Sequence, residues 1–168
     1  MAEQETPSAI GLHSNAAKLE RAKSLCNQQC WTIALQVRRL RTKEPEDDKF
    51  VFRFWADLQF LIVALRRMRR AALIAKFVPE VAVAIADFDR SLPGLATMRN
   101  VGEHVDAYAT DDPKRHHLSV TRGKLQVGSF DGTTFDWLDQ SLNIDAAKVA
   151  AELLFCAVRD ALGRLPAS

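Results

Sequence analysis

The chain has 168 residues, of which 48% are apolar, so it can bury the core of one domain. Its 23 Lys and Arg nearly balance its 21 Asp and Glu, which excludes a globally basic nucleic-acid binder and confines any basic footprint to a local patch. Its most apolar stretch, residues 50–65, contains Arg53 and Asp57 and is too short and too charged to span a bilayer.

The N-terminal segment, residues 1–13, is polar and is predicted to be a disordered tail. It lacks the basic start and apolar run of a secretory signal, so we expect a cytoplasmic protein with no membrane partner. Three cysteines are an odd number, which favours reduced thiols over a disulfide framework. The remaining residues, 14–165, are predicted to form a single domain.

Two amphipathic helices are predicted in the first half of the chain. Apolar residues recur every three or four positions over about 14–42, as one buried helix face requires, and Pro45 ends that segment. A second helix follows and is predicted to end near Phe77. Asp47 or Asp48 can cap its first turn.

A third helix is predicted to begin at Pro79, where the missing N–H of proline is not needed. Its apolar stripe continues to Ala109 and is interrupted at Pro93 and Gly94. Because the apolar phase survives the interruption, we expect a kink or a one-turn break in a roughly continuous rod.

The apolar period changes to two over residues 118–138, which predicts the only sheet, within an insertion at about 116–139. Gly123 can form the first turn. The pair Asp131-Gly132 predicts a type I′ hairpin, because both central residues of that turn need positive φ. The predicted strands centre on residues 118–120, 125–127 and 135–137.

A last helix is predicted from Asn143 or Asp145 to Gly163. Four amphipathic segments can cover one another's apolar faces, whereas a three-stranded meander alone is marginal and must lean on them. The predicted fold is therefore mainly α: a four-helix up-down bundle with a small antiparallel β-meander inserted before the last helix.

Cysteine and tryptophan positions favour core packing over chemistry. Cys26 and Cys30 are four apart on a helix, but no second pair of ligands accompanies them, so no metal or other cofactor is predicted. Trp31, Trp55 and Trp137 fall within apolar patterns and are interpreted as core or interface residues.

Two basic clusters could contact phosphate groups. The denser one lies on the polar side of the second helix, and a solvated face paired with acidic neighbours is its plainer interpretation. The other lies at the start of the β insertion, where adjacent histidines are typical of a solvated turn. The clusters comprise Arg66, Arg67, Arg69, Arg70 and Lys76, and Lys114, Arg115, His116 and His117.

The second half of the third helix carries the densest set of residues of catalytic type. Asn100, His104 and Tyr108 are four apart and share one face, and Arg99 lies about 140° from His104 around the axis. An imidazole can move a proton to or from a ribose hydroxyl, and a guanidinium can hold a phosphate. Gly102 suggests close approach by another backbone or a ligand.

This segment resembles the HEPN superfamily, four-helix domains in which an Arg followed by a polar residue precedes a His by four to six residues on the third helix. Arg99-Asn100 and His104 match that pattern. The resemblance covers the last three predicted helices reasonably and the first loosely, and the β-meander is an addition to the minimal bundle. Tyr108 lies farther past the His than in the toxin-like branch.

The resemblance implies a dimeric, metal-independent endoribonuclease, a toxin or defence component, that leaves a 2′,3′-cyclic phosphate and a 5′-hydroxyl. It implies His104 as general base or acid, Arg99 as phosphate clamp and Asn100 as an orienting group. The predicted substrate-binding residues are Tyr108, Glu103, Arg66, Arg67 and Arg70. The implied partners are RNA, a second copy, and an antitoxin or nucleotidyltransferase-like protein.

Two other interpretations stay open. The domain can be a non-catalytic HEPN-like module that binds a nucleotide, a nucleic acid or a partner protein, or an unrelated bundle with an accidental match. Arg99 and Glu103 would then form an ordinary helix-surface pair, and Asn100, His104 and Tyr108 a buried hydrogen-bond network. A homodimer interface on the third helix is also predicted, because Gly102 and Ala109 leave its surface small.

Overall fold

A computed structural model describes residues 14–45, 49 and 52–164. That part of the chain is mainly helical, with a three-stranded antiparallel sheet before the last helix. None of its helices is long and apolar enough to cross a membrane. The helices are α1 (Asn15–Arg41), α2 (Arg53–Leu73), α3 (Pro79–Ser91), α4 (Leu95–Glu103), α5 (Val105–Ala109) and α6 (Ile144–Gly163); the strands are β1 (Gly128–Phe130), β2 (Thr134–Trp137) and β3 (Gln140–Asn143).

Helix α1 begins where the sequence predicts, because the Ser14 hydroxyl accepts a hydrogen bond from the Ala17 N–H at 3.1 Å. Helix α2 begins at Arg53, and the predicted caps Asp47 and Asp48 lie outside the described residues. It ends at Leu73 rather than near Phe77, which the chain reaches through a run of turns.

A buried carboxylate ties the end of α1 to the start of α2. Asp57 is 3% exposed and accepts hydrogen bonds from Arg39 at 2.9 Å and from Arg53 at 3.3 Å. The Arg53 guanidinium also donates to the carbonyls of Arg39 and Thr42 at the end of α1. The two guanidinium partners compensate the burial of the Asp57 charge.

The predicted third helix is divided into three segments. The break at Pro93 and Gly94 is confirmed, and α3 packs mainly against α6 whereas α4 packs against α2. Gly94 is needed there because a Cβ at this position would lie 2.6 Å from the Cβ of Gln140 in β3. A second break, at His104, was not predicted; Gly102, two residues earlier, weakens the helix there, but it was interpreted only as a site of close approach.

The sheet lies later in the chain than predicted. Residues 118–120 form turns, residues 122–126 form a 3₁₀ helix, and Leu118 and Val127 are exposed, so the first two predicted strands are wrong. The third corresponds to β2, where Phe135 and Trp137 point into the core. Strand order is β1-β2-β3, and β3 was missed because its sequence, Gln-Ser-Leu-Asn, has one apolar residue.

The type I′ turn occurs in the second hairpin. Leu138 and Asp139 connect β2 to β3 with φ of 58° and 60°, the positive values that this turn requires. Between β1 and β2, Gly132 has φ of 95°, and the Asp131 carboxylate accepts the N–H groups of Thr133 and Thr134 instead. Those two bonds lower the pKa of Asp131.

Helix α6 begins after Asn143, whose side chain accepts the N–H groups of Asp145 and Ala146, and it ends at Gly163, both as predicted. Its buried face meets α1, α3 and α2 in a core that also takes in one face of the sheet. Trp31, by contrast, is 73% exposed, so it is not a core residue. The largest buried side chains are Tyr108, Phe88, Phe135, Leu19, Ile33, Leu58, Leu61, Ile62, Leu65, Met68, Met98 and Leu142.

Candidate functional site

His104 lies between two helices rather than inside one. Its backbone, with φ of −119° and ψ of 36°, ends α4 and starts α5, and its carbonyl accepts the N–H groups of Ala107 and Tyr108. The side chain is exposed. An imidazole in this position is accessible to a ligand, as an acid or a base must be.

Tyr108 holds the polar face of this junction together. Its ring is fully buried, and its hydroxyl donates to Asn100 Oδ1 at 2.8 Å and accepts from the His117 backbone N–H at 3.1 Å. Of the buried network suggested for Asn100, His104 and Tyr108, the Asn100–Tyr108 bond is present, whereas the exposed His104 side chain is not part of it. Because the hydroxyl is already engaged on both sides, Tyr108 positions its neighbours and is not a free substrate-binding group.

The segment after α5 folds back over the junction. Arg115 fixes it, because its guanidinium donates to the carbonyls of Asp112, Leu118 and Val120 and pairs with Asp111. The Asp112 carboxylate accepts the Lys114 N–H at 2.8 Å. These bonds satisfy the backbone of a segment without strand pairing, which explains why the alternation of residues 118–120 does not produce a strand.

The folded-back segment and the α4–α5 junction enclose a cavity of about 250 Å³, here called the His104 cavity. It brings His104 together with Lys114 and His116, which lie 10 and 12 residues later in the chain and are also exposed. Two carboxylates lie beside these groups. The lining residues are Asn100, His104, Asp106, Ala107, Tyr108, Asp112, Lys114, Arg115 and His116.

Arg99 lies on the other side of the helix. It forms an ion pair with Glu103, and both line a larger depression of about 850 Å³, here called the apolar groove, that does not include His104. Within one protomer the Arg99 and His104 side chains therefore open onto different surfaces. The groove is lined by Phe52, Trp55, Gln59, Phe60, Ile62, Val63, Arg99, Gly102, Glu103, Val105, Ala109, Arg122, Leu125, Gln126 and Trp137.

Gly102 makes room for a side chain of its own protomer. A Cβ there would lie 2.7 Å from Oε1 of Gln59 in α2, and 3.9 Å from the Trp137 ring. The close approach at Gly102 is made by the side chains of Gln59 and Trp137, and not by another backbone or a ligand as predicted. The small surface at Gly102 consequently gives no separate argument for a dimer.

The arginines of α2 are dispersed around the helix. Arg66 lies near Arg99, and burial, followed by the positive charges of Arg69 and Arg99, lowers its pKa. Arg69 makes a two-pronged pair with Asp89 at 2.5 and 2.6 Å. Arg67 and Arg70 line a separate cavity between α1 and α2. The predicted basic row is therefore not one phosphate-binding surface.

Cys26 and Cys30 show no sign of a thiolate site. Burial raises the pKa of Cys26 to about 12 and that of Cys30 to about 11, so both are protonated thiols at neutral pH. Cys26 is fully buried, with Sγ 3.9 Å from the Met68 carbonyl. Among the described residues, no group of three or more His, Cys, Asp or Glu is placed to hold a metal ion.

Comparison with known proteins returned nothing: no family model, no curated protein and no solved structure matches this chain. Sequence reasoning noted His116 and Lys114 but did not associate them with His104. The signal was the turn-forming run Asp111-Asp112-Pro113 directly after α5, which reverses the chain over that helix.

Proposed function

We propose that this protein is a metal-independent, HEPN-like endoribonuclease whose reaction centre is the His104 cavity. The observation that carries the proposal is that two exposed histidines, His104 and His116, and the exposed Lys114 line the same cavity. Cleavage through the 2′-hydroxyl of RNA needs a base, an acid and a cation near the phosphate. His104, His116 and Lys114 are of the types that supply them.

The proposed reaction needs two proton transfers. One imidazole, assigned to His104, takes the proton of the ribose 2′-hydroxyl as the 2′-oxygen forms a bond to phosphorus. The phosphorus–5′-oxygen bond breaks, and the imidazolium of His116 gives its proton to the departing 5′-oxygen. The products are a 2′,3′-cyclic phosphate and a 5′-hydroxyl, so atoms and charge balance without another reactant.

The remaining groups of the cavity have supporting roles in this proposal. Lys114 offsets the charge that develops on the phosphate. Asn100 is a positioning residue, because its Oδ1 accepts the Tyr108 hydroxyl that also holds the backbone of His117. Asp106 and Asp112, which also line the cavity, keep its net charge modest and favour one phosphodiester over a long polyanionic track.

Arg99 enters this proposal only through a second copy of the chain. It faces the apolar groove with Glu103, so it can meet a phosphate at a His104 cavity only if a dimer places the partner's guanidinium there. The assignment to Lys114 requires no dimer. The single-protomer site and the composite dimeric site therefore make opposite predictions for variants of Lys114 and Arg99.

A cleavage assay on mixed single-stranded RNA tests the proposal, with and without EDTA and with analysis of the product ends. Wild type is expected to leave cyclic phosphate and 5′-hydroxyl ends at the same rate in EDTA. His104→Ala is expected to lose at least about a thousandfold in rate while folding normally, because its side chain is exposed. Equal cleavage by wild type and His104→Ala would refute the assignment.

A second function is favoured by the state of Arg99. Its pairing with Glu103 at the edge of an apolar groove suits a non-catalytic module that binds a partner protein or nucleotide there. Absence of RNA cleavage under every condition, by a protein shown to be folded, would favour this module over the enzyme.

A further inference from the structure

The apolar groove is a concave surface that is separate from the His104 cavity. Neither of the two proposed proton transfers uses it. Four elements line it: α2, the α4–α5 segment, the 3₁₀ helix at Arg122–Gln126, and β2 through Trp137. Its volume of about 850 Å³ lies within the range of roughly 300–1,000 Å³ typical of small-molecule sites.

Aromatic rings form a fixed part of the groove. Trp55 and Trp137 meet edge to face with ring centroids 5.2 Å apart, and both line the groove. The Trp137 indole N–H donates to the Leu125 carbonyl at 3.2 Å, which holds the ring against the 3₁₀ helix. A preformed aromatic surface binds planar apolar groups with little loss of side-chain entropy.

Apolar side chains of the groove are exposed to water. Phe60 is 62% and Val105 is 52% exposed, on α2 and α5 respectively. A contiguous exposed apolar surface in a concave setting is characteristic of a binding site, because covering it releases water at no polar cost.

The ionised side chains that line the groove leave one net positive charge. Arg99 is neutralised by Glu103, whereas Arg122 has no ion-pair partner among residues 14–45, 49 and 52–164. Gln59 also lines the groove, and its buried Nε2 has no hydrogen-bond partner in the same part of the chain. A ligand that completes this site is therefore apolar and carries one anionic group whose oxygens accept hydrogen bonds.

We infer that the apolar groove binds a small amphiphilic anion, an aromatic or aliphatic body with a single carboxylate or sulfonate, whose charged end meets Arg122. Trp55 and Phe60 contact the apolar body, and the buried Trp137 supports the Trp55 ring. The site is independent of RNA cleavage, since it shares no lining residue with the His104 cavity.

Two fluorescent probes that differ in charge test this inference on the full chain. Anilinonaphthalene sulfonate carries the anionic group, and phenylnaphthylamine has the same rings without it. Wild type is expected to bind the sulfonate at one site. Arg122→Gln is expected to weaken the sulfonate about fivefold and to leave the neutral probe within about twofold, because only a charge-assisted contact is removed. Equal weakening of both probes, or of neither, would overturn the anion assignment.

Val105→Glu and Val149→Glu form a matched pair. Val105 is 52% exposed in the groove, whereas Val149 is 53% exposed on α6 and does not line it. Val105→Glu is expected to weaken sulfonate binding about tenfold, through lost apolar contact and like-charge repulsion, and Val149→Glu to leave it unchanged. Equal effects would show nonspecific binding. A wild-type dimer that Val105→Glu dissociates in sedimentation would show that a second copy fills the groove, which also overturns the inference.

Discussion

The two faces of the α4–α5 segment carry opposite chemistry. The His104 cavity is small and polar and is bounded by a chain segment that hydrogen bonds hold in place, whereas the apolar groove is about three times larger and lined by rigid rings. The residues that separate them alternate along one short stretch: Arg99, Gly102 and Glu103 face the groove, and Asn100 and His104 face the cavity. Residues adjacent in sequence therefore serve different surfaces.

Because of this separation, the spacing between Arg99 and His104 does not show that the two side chains act at one site. On a helix of regular pitch, a position five residues on lies about 140° around the axis, so side chains at 99 and 104 diverge. The break at His104 does not bring them back together, since Arg99 stays paired with Glu103. A motif defined by spacing alone does not specify which surface each residue faces.

The largest effect expected from the comparison concerns the phosphate-binding cation. Lys114→Ala is expected to reduce RNA cleavage about a hundredfold, because it removes the cation of the cavity itself. Arg99→Lys keeps the positive charge beside Glu103 and is expected to change the rate less than threefold, if a single protomer forms the site. Initial cleavage rates at saturating RNA give both numbers. The reverse order of effects would favour the composite dimeric site.

An intermediate effect is expected from removing the Tyr108 hydroxyl, which supports the cavity side of the segment and not the groove. Tyr108→Phe keeps the buried ring but leaves Asn100 Oδ1 and the His117 N–H without their partner. We expect a loss of about 1–2 kcal/mol in the free energy of unfolding, with sulfonate binding at the groove unchanged. Urea denaturation measures the first and probe titration the second. An unchanged stability would mean that water replaces the hydroxyl at no cost.

The smallest effect is expected in the turn that connects β2 to β3, whose residues Leu138 and Asp139 line neither surface. Asp139→Gly and Asp139→Ala both remove the exposed ion pair with Lys124, but only glycine accepts φ near 60° without a steric penalty. The glycine variant is expected to be more stable than the alanine variant by about 1 kcal/mol, measured by thermal unfolding. Equal stability would show that the turn relaxes to negative φ.

Helix positions were predictable because their period is long and repeated. The start of the first helix near residue 14, the N-terminal Pro79, the break at Pro93 and the end at Gly163 all depend on local patterns that the sequence displays. The break at His104 was harder to predict, because no proline marks it and Gly102, two residues earlier, is a weak signal on its own.

The strands were harder to predict, since alternation over two or three residues is a weak signal. Leu118 and Val120 alternate but lie in a segment fixed by the Arg115 guanidinium, whereas β3 pairs through its backbone with little apolar pattern. The His104 cavity was also hard to predict, because it joins residues from separate segments of the chain. His104 was evident from its helix, but its association with His116 required the fold of the connecting segment.

Adjacent histidines allow the most direct measurement of the central claim. His116 lines the His104 cavity, whereas His117 does not and contributes its backbone N–H to Tyr108. If the cavity is the reaction centre, His116→Ala is expected to slow RNA cleavage about a hundredfold and His117→Ala less than twofold, with equal thermal stability. Equal rates for the two variants, or a larger loss for His117→Ala, would contradict the assignment of catalysis to this cavity.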